Sequence, residues 1–214
     1  MFENVWYAAY GSNLLRERFM AYIQGGRAPG ARFAQVGCTD KTRPKADRGI
    51  MILHRLCFAG SSPQWEDLGV GFIERARDEG AKTLGRMYLI TRDQFREVVL
   101  QENGHSRMDA EVGMDLERTI REGRSEIVGG RYRTLLHLGE EDGHPIFSFT
   151  ASGDDDQPPL NRPGPNYLKV VIRGLKETFG LTDQGVRDYL REIPGIRGVI
   201  PEEELARAVE DIRG

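Results

Sequence analysis

The sequence lacks a strong excess of charge of either sign. It has 30 Lys and Arg residues against 33 Asp and Glu residues, which leaves a formal net charge of −3. Proteins that bind nucleic acid or anionic membranes usually present a strongly basic surface. The charge balance therefore predicts no nucleic-acid partner and no membrane partner, and it favours a small molecule or another protein.

Cysteines and long apolar runs are also scarce. The chain has only two cysteines, Cys38 and Cys57, and no run of 18 apolar residues. Its first residues do not combine a basic segment with an apolar run, as a secretory leader would. We therefore expect buried free thiols and a cytoplasmic protein, either a monomer or a homodimer.

No metal or cofactor motif is apparent. The four histidines are not spaced as metal ligands, either among themselves or relative to the cysteines. The acidic, proline-containing segment 153–159 offers three consecutive aspartates, but this composition is more typical of a solvated loop than of a metal site. We predict that the protein uses neither a metal nor a cofactor.

What the chain does contain is turn residues between short apolar segments. With 26 Gly and 10 Pro in 214 residues, it favours a single α+β domain over a helical bundle. Predicted strands at 50–58, 69–74 and 83–91 suggest an antiparallel meander, followed by a helix capped by Thr91. We also predict an amphipathic insertion at about 105–127, a hairpin over 131–151, and a C-terminal helical layer from Pro165 onward with further helices beginning at Thr182 and Pro201.

The most informative segment is Val5–Leu15. An aromatic and β-branched run is broken by Gly11, Ser12 and Asn13 and continues into a helix that ends near Gln24, which predicts a strand–loop–helix corner. Backbone N–H groups of such a corner could hold an anion or a carbonyl oxygen. The alternative is that Ser and Asn simply cap the helix. Ser12 as a nucleophile is disfavoured because no Gly-x-Ser-x-Gly motif surrounds it.

The sequence Tyr7-Ala8-Ala9-Tyr10-Gly11-Ser12-Asn13-Leu14 closely resembles the N-terminal signature of the gamma-glutamylcyclotransferase family. Further resemblances follow in the expected order at 56–59, 85–90, 102–104 and 158–169, so that about two-thirds of the chain is covered. Ala8, Val99 and Asn103 depart from the family pattern. The resemblance implies a gamma-glutamylcyclotransferase-like fold, in which a mixed, mostly antiparallel, barrel-like β-sheet is flanked by helices.

It also implies an activity and a site. On residue type alone, Glu102 is an ordinary exposed glutamate in a turn; the resemblance makes it the catalytic general acid/base. The expected reaction converts a gamma-glutamyl amine or amino acid into 5-oxoproline and a free amine, as in glutathione metabolism. The substrate-binding residues implied are Tyr7, Ala8, Ala9, Tyr10, Gly11, Ser12, Asn13, Leu14 and Tyr167.

Two alternatives stay open at this point. The same fold could bind a small ligand without turning it over, since a fold does not fix a function. The chain could also remove a gamma-glutamyl group from a larger amine, and hydrolysis would then yield glutamate in place of 5-oxoproline.

Overall fold

The computed structural model describes residues 2–104, 113–127, 129–151 and 158–213. Eight strands are present in these ranges: β1 (Asn4–Ala9), β2 (Ala46–Ile52), β3 (Leu56–Ser62), β4 (Leu68–Ile73), β5 (Thr83–Thr91), β6 (Arg124–Glu126), β7 (Thr134–Glu141) and β8 (His144–Thr150). Six α-helices accompany them: α1 (Arg16–Gln24), α2 (Arg92–Glu102), α3 (Leu116–Glu122), α4 (Pro165–Phe179), α5 (Asp183–Leu190) and α6 (Glu202–Glu210). Short 3₁₀ turns lie at Ser12–Leu14, Pro63–Trp65 and Asp211–Arg213.

Six of the strands form one sheet in the order β2-β5-β1-β8-β7-β6. All neighbours in it are antiparallel except β1 and β8, which run parallel. Strands β3 and β4 form a separate antiparallel pair. The predicted class, a mixed and mostly antiparallel α+β fold with flanking helices, is confirmed.

Strand β1 lies in the middle of the large sheet, between β5 and β8. Its residues from Val5 to Ala9 are all buried, because the strand is covered on both faces. This explains why the sequence of β1 shows no alternation of polar and apolar residues. The corner that follows β1 therefore begins at the centre of the fold.

The predicted meander is wrong. The segment 50–58 is not one strand: β2 ends at Ile52, the chain bends at Leu53 and His54, and β3 begins at Leu56. Strand β2 pairs with β5, whereas β3 turns away and pairs only with β4 within the sheets. The apolar run continues through the bend, so hydrophobicity alone did not reveal it.

The predicted helix after β5 and the predicted hairpin are confirmed. Thr91 caps α2 in a capping box, in which its Oγ1 accepts from the Gln94 backbone N–H at 3.1 Å and the Gln94 side chain accepts from the Thr91 N–H at 3.1 Å. Strands β7 and β8 form the hairpin, and helices begin at Pro165, after Thr182 and after Pro201 as expected.

Of the predicted amphipathic segment at 105–127, Met108 and Val112 lie outside the described residues. The described part forms α3 and the short strand β6, with Leu116 buried on the side of the core. The buried apolar residues of the described chain form one continuous cluster. No helix among the described residues has the length and apolar character needed to cross a bilayer.

Candidate active site

The corner between β1 and α1 is fixed by hydrogen bonds from its surroundings. Tyr10 Oη donates to the Phe149 carbonyl oxygen of β8 at 2.6 Å, and Tyr88 Oη of β5 donates to the Asn13 carbonyl oxygen at 2.7 Å. Two neighbouring strands thus hold both ends of the loop. Such a loop is preorganised, which is what a site that stabilises charge during a reaction requires.

Gly11 permits the hydroxyl of Tyr167 to reach this corner. A Cβ atom at position 11 would lie 2.5 Å from Tyr167 Oη, closer than real side chains come. Tyr167 Oη accepts from the Gly71 backbone N–H at 3.0 Å, and the backbone N–H of Ser12 lies beside the same oxygen. Burial raises the pKa of Tyr167 to about 12, so the hydroxyl keeps its proton.

Fewer backbone N–H groups of the corner are available to a ligand than the sequence suggested. The Leu14 N–H donates to the Gly11 carbonyl at 3.0 Å within the 3₁₀ turn, and the Ser12 N–H faces Tyr167. Only the N–H of Asn13 has no hydrogen-bond partner among the described residues. The tight turn consumes the other donors, because a 3₁₀ turn closes its bonds over three residues.

The sequence predicts an exposed Glu102, because Asn103 and Gly104 follow it. The structure shows instead that Glu102 does not project into solvent. It ends α2 and is half-buried. It follows Val98 by four residues and Val99 by three, and both valines are fully buried, so the helical period places the carboxylate on the buried face. The structure therefore brings Glu102 to the corner, although 89 residues separate it from Asn13.

Asn13 connects the corner to Glu102. Its Nδ2 donates to Glu102 Oε1 at 2.8 Å and to Tyr7 Oη at 3.2 Å. The hydroxyl of Tyr22 lies close enough to the Glu102 carboxylate to stabilise its charged form. Tyr22 Oη in turn accepts from Arg18 Nη2 at 2.7 Å. Two hydrogen-bonded groups, Tyr7–Asn13–Glu102 and Tyr22–Arg18, thus lie next to each other at this end of the cavity.

The pKa of Glu102 is raised. Its burial among aromatic side chains disfavours the charged form and is the largest cause. The positive charge of Arg18 and the hydrogen bonds from Tyr22 and Asn13 act in the opposite direction and stabilise the carboxylate. A carboxyl group with a raised pKa suits proton transfer near neutral pH better than an ordinary surface glutamate does.

These residues surround a cavity of about 480 Å³. Of the predicted site residues, those that line it are Tyr7, Tyr10, Gly11, Ser12, Asn13, Glu102 and Tyr167. The structure does not place Ala8, Ala9 and Leu14 among the lining residues; they are buried in the core, because β1 is covered on both faces and Leu14 packs under α4. The Cβ of Gly174 would lie 2.5 Å from Leu14 Cβ, which shows how closely α4 approaches the corner.

The sequence analysis missed several residues of the cavity, notably Arg18, Tyr22, Trp65, Arg131 and Tyr132. For Arg18 a signal existed. Arg18 follows Leu15 by three residues and precedes Tyr22 by four, so it lies on the apolar face of α1, where a charged residue is unusual. Trp65 and Tyr132 come from distant loops, and no local pattern indicates their position.

Asn103, a departure from the family pattern, has a definite role in the structure. Its Oδ1 accepts from the Tyr132 N–H at 2.7 Å, and its Nδ2 donates to the Tyr132 carbonyl at 3.0 Å. Both polar groups of the Tyr132 backbone are thus held by one side chain. The residue that follows Glu102 therefore fixes the aromatic ring of Tyr132 against the same cavity, packed on Phe149 with ring centroids 5.2 Å apart.

Among the described residues, no group of three or more His, Cys, Asp or Glu side chains is arranged to hold a metal ion. No family model matches the chain. Over 199 residues it is 31% identical to Histone deacetylase 5 of Arabidopsis thaliana, which covers 87% of this chain. The chain spans only 30% of the length of that relative.

Two solved structures can be aligned with nearly the whole chain. A protein described as gamma-glutamyl cyclotransferase has a TM-score of 0.49 and 18% identity, with 98% of this chain and 99% of that chain covered. An uncharacterized human protein has a TM-score of 0.48 and 17% identity, with 99% and 98% covered.

Proposed function

We propose that this protein is a gamma-glutamylcyclotransferase-like enzyme, in which Glu102 is the general acid/base. The observation that carries the proposal is the hydrogen bond from Asn13 Nδ2 to Glu102 Oε1, 2.8 Å long, in the wall of the cavity. It joins the N-terminal signature to the one carboxylate that the resemblance singles out. The two lie 89 residues apart in the sequence, so their contact supports the proposal.

The proposed reaction needs no nucleophile from the protein. The α-nitrogen of the substrate attacks its own γ-carbonyl carbon, a C–N bond closes the five-membered lactam, and the original amide C–N bond breaks. Holding the substrate folded gives most of the required proximity. The α-nitrogen loses two protons as it passes from ammonium to lactam. The departing nitrogen gains one proton to leave as an amine and a second to become an ammonium, and no water is consumed.

Glu102 carries the proton that the leaving nitrogen needs in order to depart. As a carboxylate it accepts the proton from the α-ammonium, and as a carboxylic acid it returns the proton to the leaving nitrogen. Its raised pKa supports both halves of the cycle, because the protonated form is not too costly to populate. The Asn13 N–H, without a partner among the described residues, is the backbone donor for the oxyanion that forms on the γ-carbonyl.

The test is to incubate the purified protein with gamma-glutamyl amino acids and amines and to quantify 5-oxoproline and glutamate by mass spectrometry. Glu102→Gln should abolish 5-oxoproline release. Asp93→Asn, an exposed carboxylate on the same helix, is the control and should retain it.

The other outcomes are equally definite. Glutamate as the product would replace cyclisation by hydrolysis of a gamma-glutamyl group. No product across the panel, combined with thermal stabilisation by the same compounds, would replace the enzyme by a binding module. Turnover that persists at the wild-type rate in Glu102→Gln would remove Glu102 from the mechanism.

A further inference from the structure

Three buried polar atoms in the cavity wall have no hydrogen-bond partner among the described residues. They are Oδ1 of Asn13 and the Nε and Nη1 atoms of Arg18. A buried donor or acceptor without a partner costs about 1–3 kcal/mol, and more when it is charged. Native proteins seldom keep such atoms without a reason. A ligand that occupies the cavity would supply the missing partners.

Arg18 is the more unusual of the two residues. Its side chain is 1% exposed, and no carboxylate of the described residues lies within ion-pair distance of it. Arg86 offers a direct comparison, because it is also buried but forms ion pairs with both Asp47 and Glu177. Arg86 thus has two ion-pair partners, whereas Arg18 has none among the described residues.

The guanidinium of Arg18 is nevertheless firmly placed. Its Nη2 donates to Tyr22 Oη at 2.7 Å, and its central carbon lies 4.5 Å from the Tyr22 ring centroid and 5.4 Å from that of Trp65. Two rings hold the group, and two donors on it stay unused. An arginine fixed in this manner is suited to bind a planar anion such as a carboxylate with two hydrogen bonds.

The neighbouring groups require the opposite chemistry. Glu102 and the unpartnered Oδ1 of Asn13 are acceptors, and one hydroxyl, that of Tyr22, separates Glu102 from Arg18. Donors for an anion thus lie beside acceptors for a cation. A free α-amino acid group presents this pair, a carboxylate and an ammonium on one carbon atom.

We propose that Arg18 binds the α-carboxylate of the substrate, while Glu102 and Asn13 Oδ1 receive its α-ammonium. This inference rests on the proposed function and adds its specificity: a substrate needs an unblocked α-carboxylate. The zwitterionic end then lies deep in the cavity, and the leaving amine points to the mouth, where Phe33 is half exposed and hydrogen-bonds Gln64 through its backbone. Arg18 orients the α-nitrogen and takes no part in proton transfer.

Two substrates and two variants test the assignment by turnover. Gamma-glutamyl amides carry the α-carboxylate, and the corresponding 4-aminobutyryl amides lack it. Wild-type kcat/KM should fall about 10- to 100-fold when the carboxylate is missing, as expected for one or two charge-assisted hydrogen bonds. Arg18→Met should lose a similar factor on the gamma-glutamyl amide and almost none on the 4-aminobutyryl amide, and Arg18→Lys should recover part of it.

Arg16→Met is the matched control, because Arg16 lies on the same helix and is exposed. It should leave both substrates unaffected. Arg18→Met should fold, since replacing an unpaired buried cation by an apolar side chain of similar length removes a cost. If Arg18→Met slowed both substrates equally, Arg18 would act only by positioning Glu102 through Tyr22, and the carboxylate assignment would be wrong.

A binding experiment separates this inference from the proposed reaction. Glutaric acid monoamide has the carboxylate and the amide but no α-nitrogen, so it cannot cyclise. Calorimetric titration should show it binding the wild-type protein about 10-fold or more tightly than butyramide, and Arg18→Met should remove the difference. Arg18-dependent binding without turnover would keep the carboxylate site and reject the cyclotransferase. Turnover without any Arg18 dependence would keep the cyclotransferase and reject the carboxylate site.

Discussion

One added methyl group at Gly11 tests whether the corner depends on the close approach of Tyr167. The Cβ of Gly11→Ala would lie 2.5 Å from Tyr167 Oη, and the next nearest atom of that ring, Cζ, lies 3.7 Å away. The φ angle of Gly11 is −118°, outside the left-handed region that favours glycine, so the prediction is based on this contact. Removing the hydroxyl should therefore remove the clash.

The magnitudes follow from this geometry. Gly11→Ala overpacks a buried contact and should lower the free energy of unfolding by about 1–3 kcal/mol. Tyr167→Phe removes the acceptor of the buried Gly71 N–H and should also cost about 1–3 kcal/mol. In the double variant the nearest ring atom is at ordinary contact distance, so the overpacking cost disappears. The double variant should then cost at least about 1 kcal/mol less than the sum of the single variants.

Urea unfolding followed by tryptophan fluorescence measures the three free energies, with Trp6 and Trp65 as buried reporters. Gly185→Ala is the control, because no atom lies closer than 3.5 Å to its added Cβ and the residue is in a helix, where Ala is the better former. That variant should be neutral or slightly stabilised. Additivity of Gly11→Ala and Tyr167→Phe within about 0.5 kcal/mol would refute the reasoning.

Two further predictions concern the charge of Glu102. Because burial raises the pKa of Glu102 above 4.5, the acidic limb of the kcat/KM profile should lie above that value. Asn13→Ala removes a hydrogen bond to the carboxylate, so in this variant the limb should move to higher pH. An unchanged limb would contradict the role of Asn13. The raised pKa also means that the folded state keeps the proton to higher pH than the unfolded chain, so wild-type stability falls as pH rises from about 4.5 through the folded pKa. Glu102→Gln cannot titrate and should gain stability relative to wild type over that window, by about 1.4 kcal/mol for each unit of raised pKa. Urea unfolding of both proteins at about pH 4 and about pH 8 measures this gain in stability. An equal difference in unfolding free energy between the two proteins at both pH values would contradict the prediction.

The local features of the fold could be predicted from the sequence. Thr91 and Gln94 carry the capping-box signature, and the hairpin of β7 and β8 is bounded by turn residues at 142–143. These signals act over a few residues. The pairing of β2 with β5, and of β1 in parallel with β8, depends on contacts between distant segments, for which a single sequence offers no local pattern.

The same division explains what was missed in the candidate site. Glu102 was interpreted as exposed because Asn103 and Gly104 form a turn, yet the helical period from Val98 already places it on the buried face. The helical period that places Phe95, Val98 and Val99 in the core applies equally to the charged residue at position 102. The period of α1 likewise places Arg18 on the buried face of that helix.

The two residues together suggest a general way to search such helices. An apolar stripe that is interrupted by a charge, at a position the period places on the buried face, either meets a partner in the protein or lines a cavity. Asp47 and Glu177 supply the first solution for Arg86 of β5. Asn13 is a partial partner for Glu102, and Tyr22 is a partial partner for Arg18. The donors and acceptors that remain without a partner indicate the chemistry of the ligand better than any single residue does.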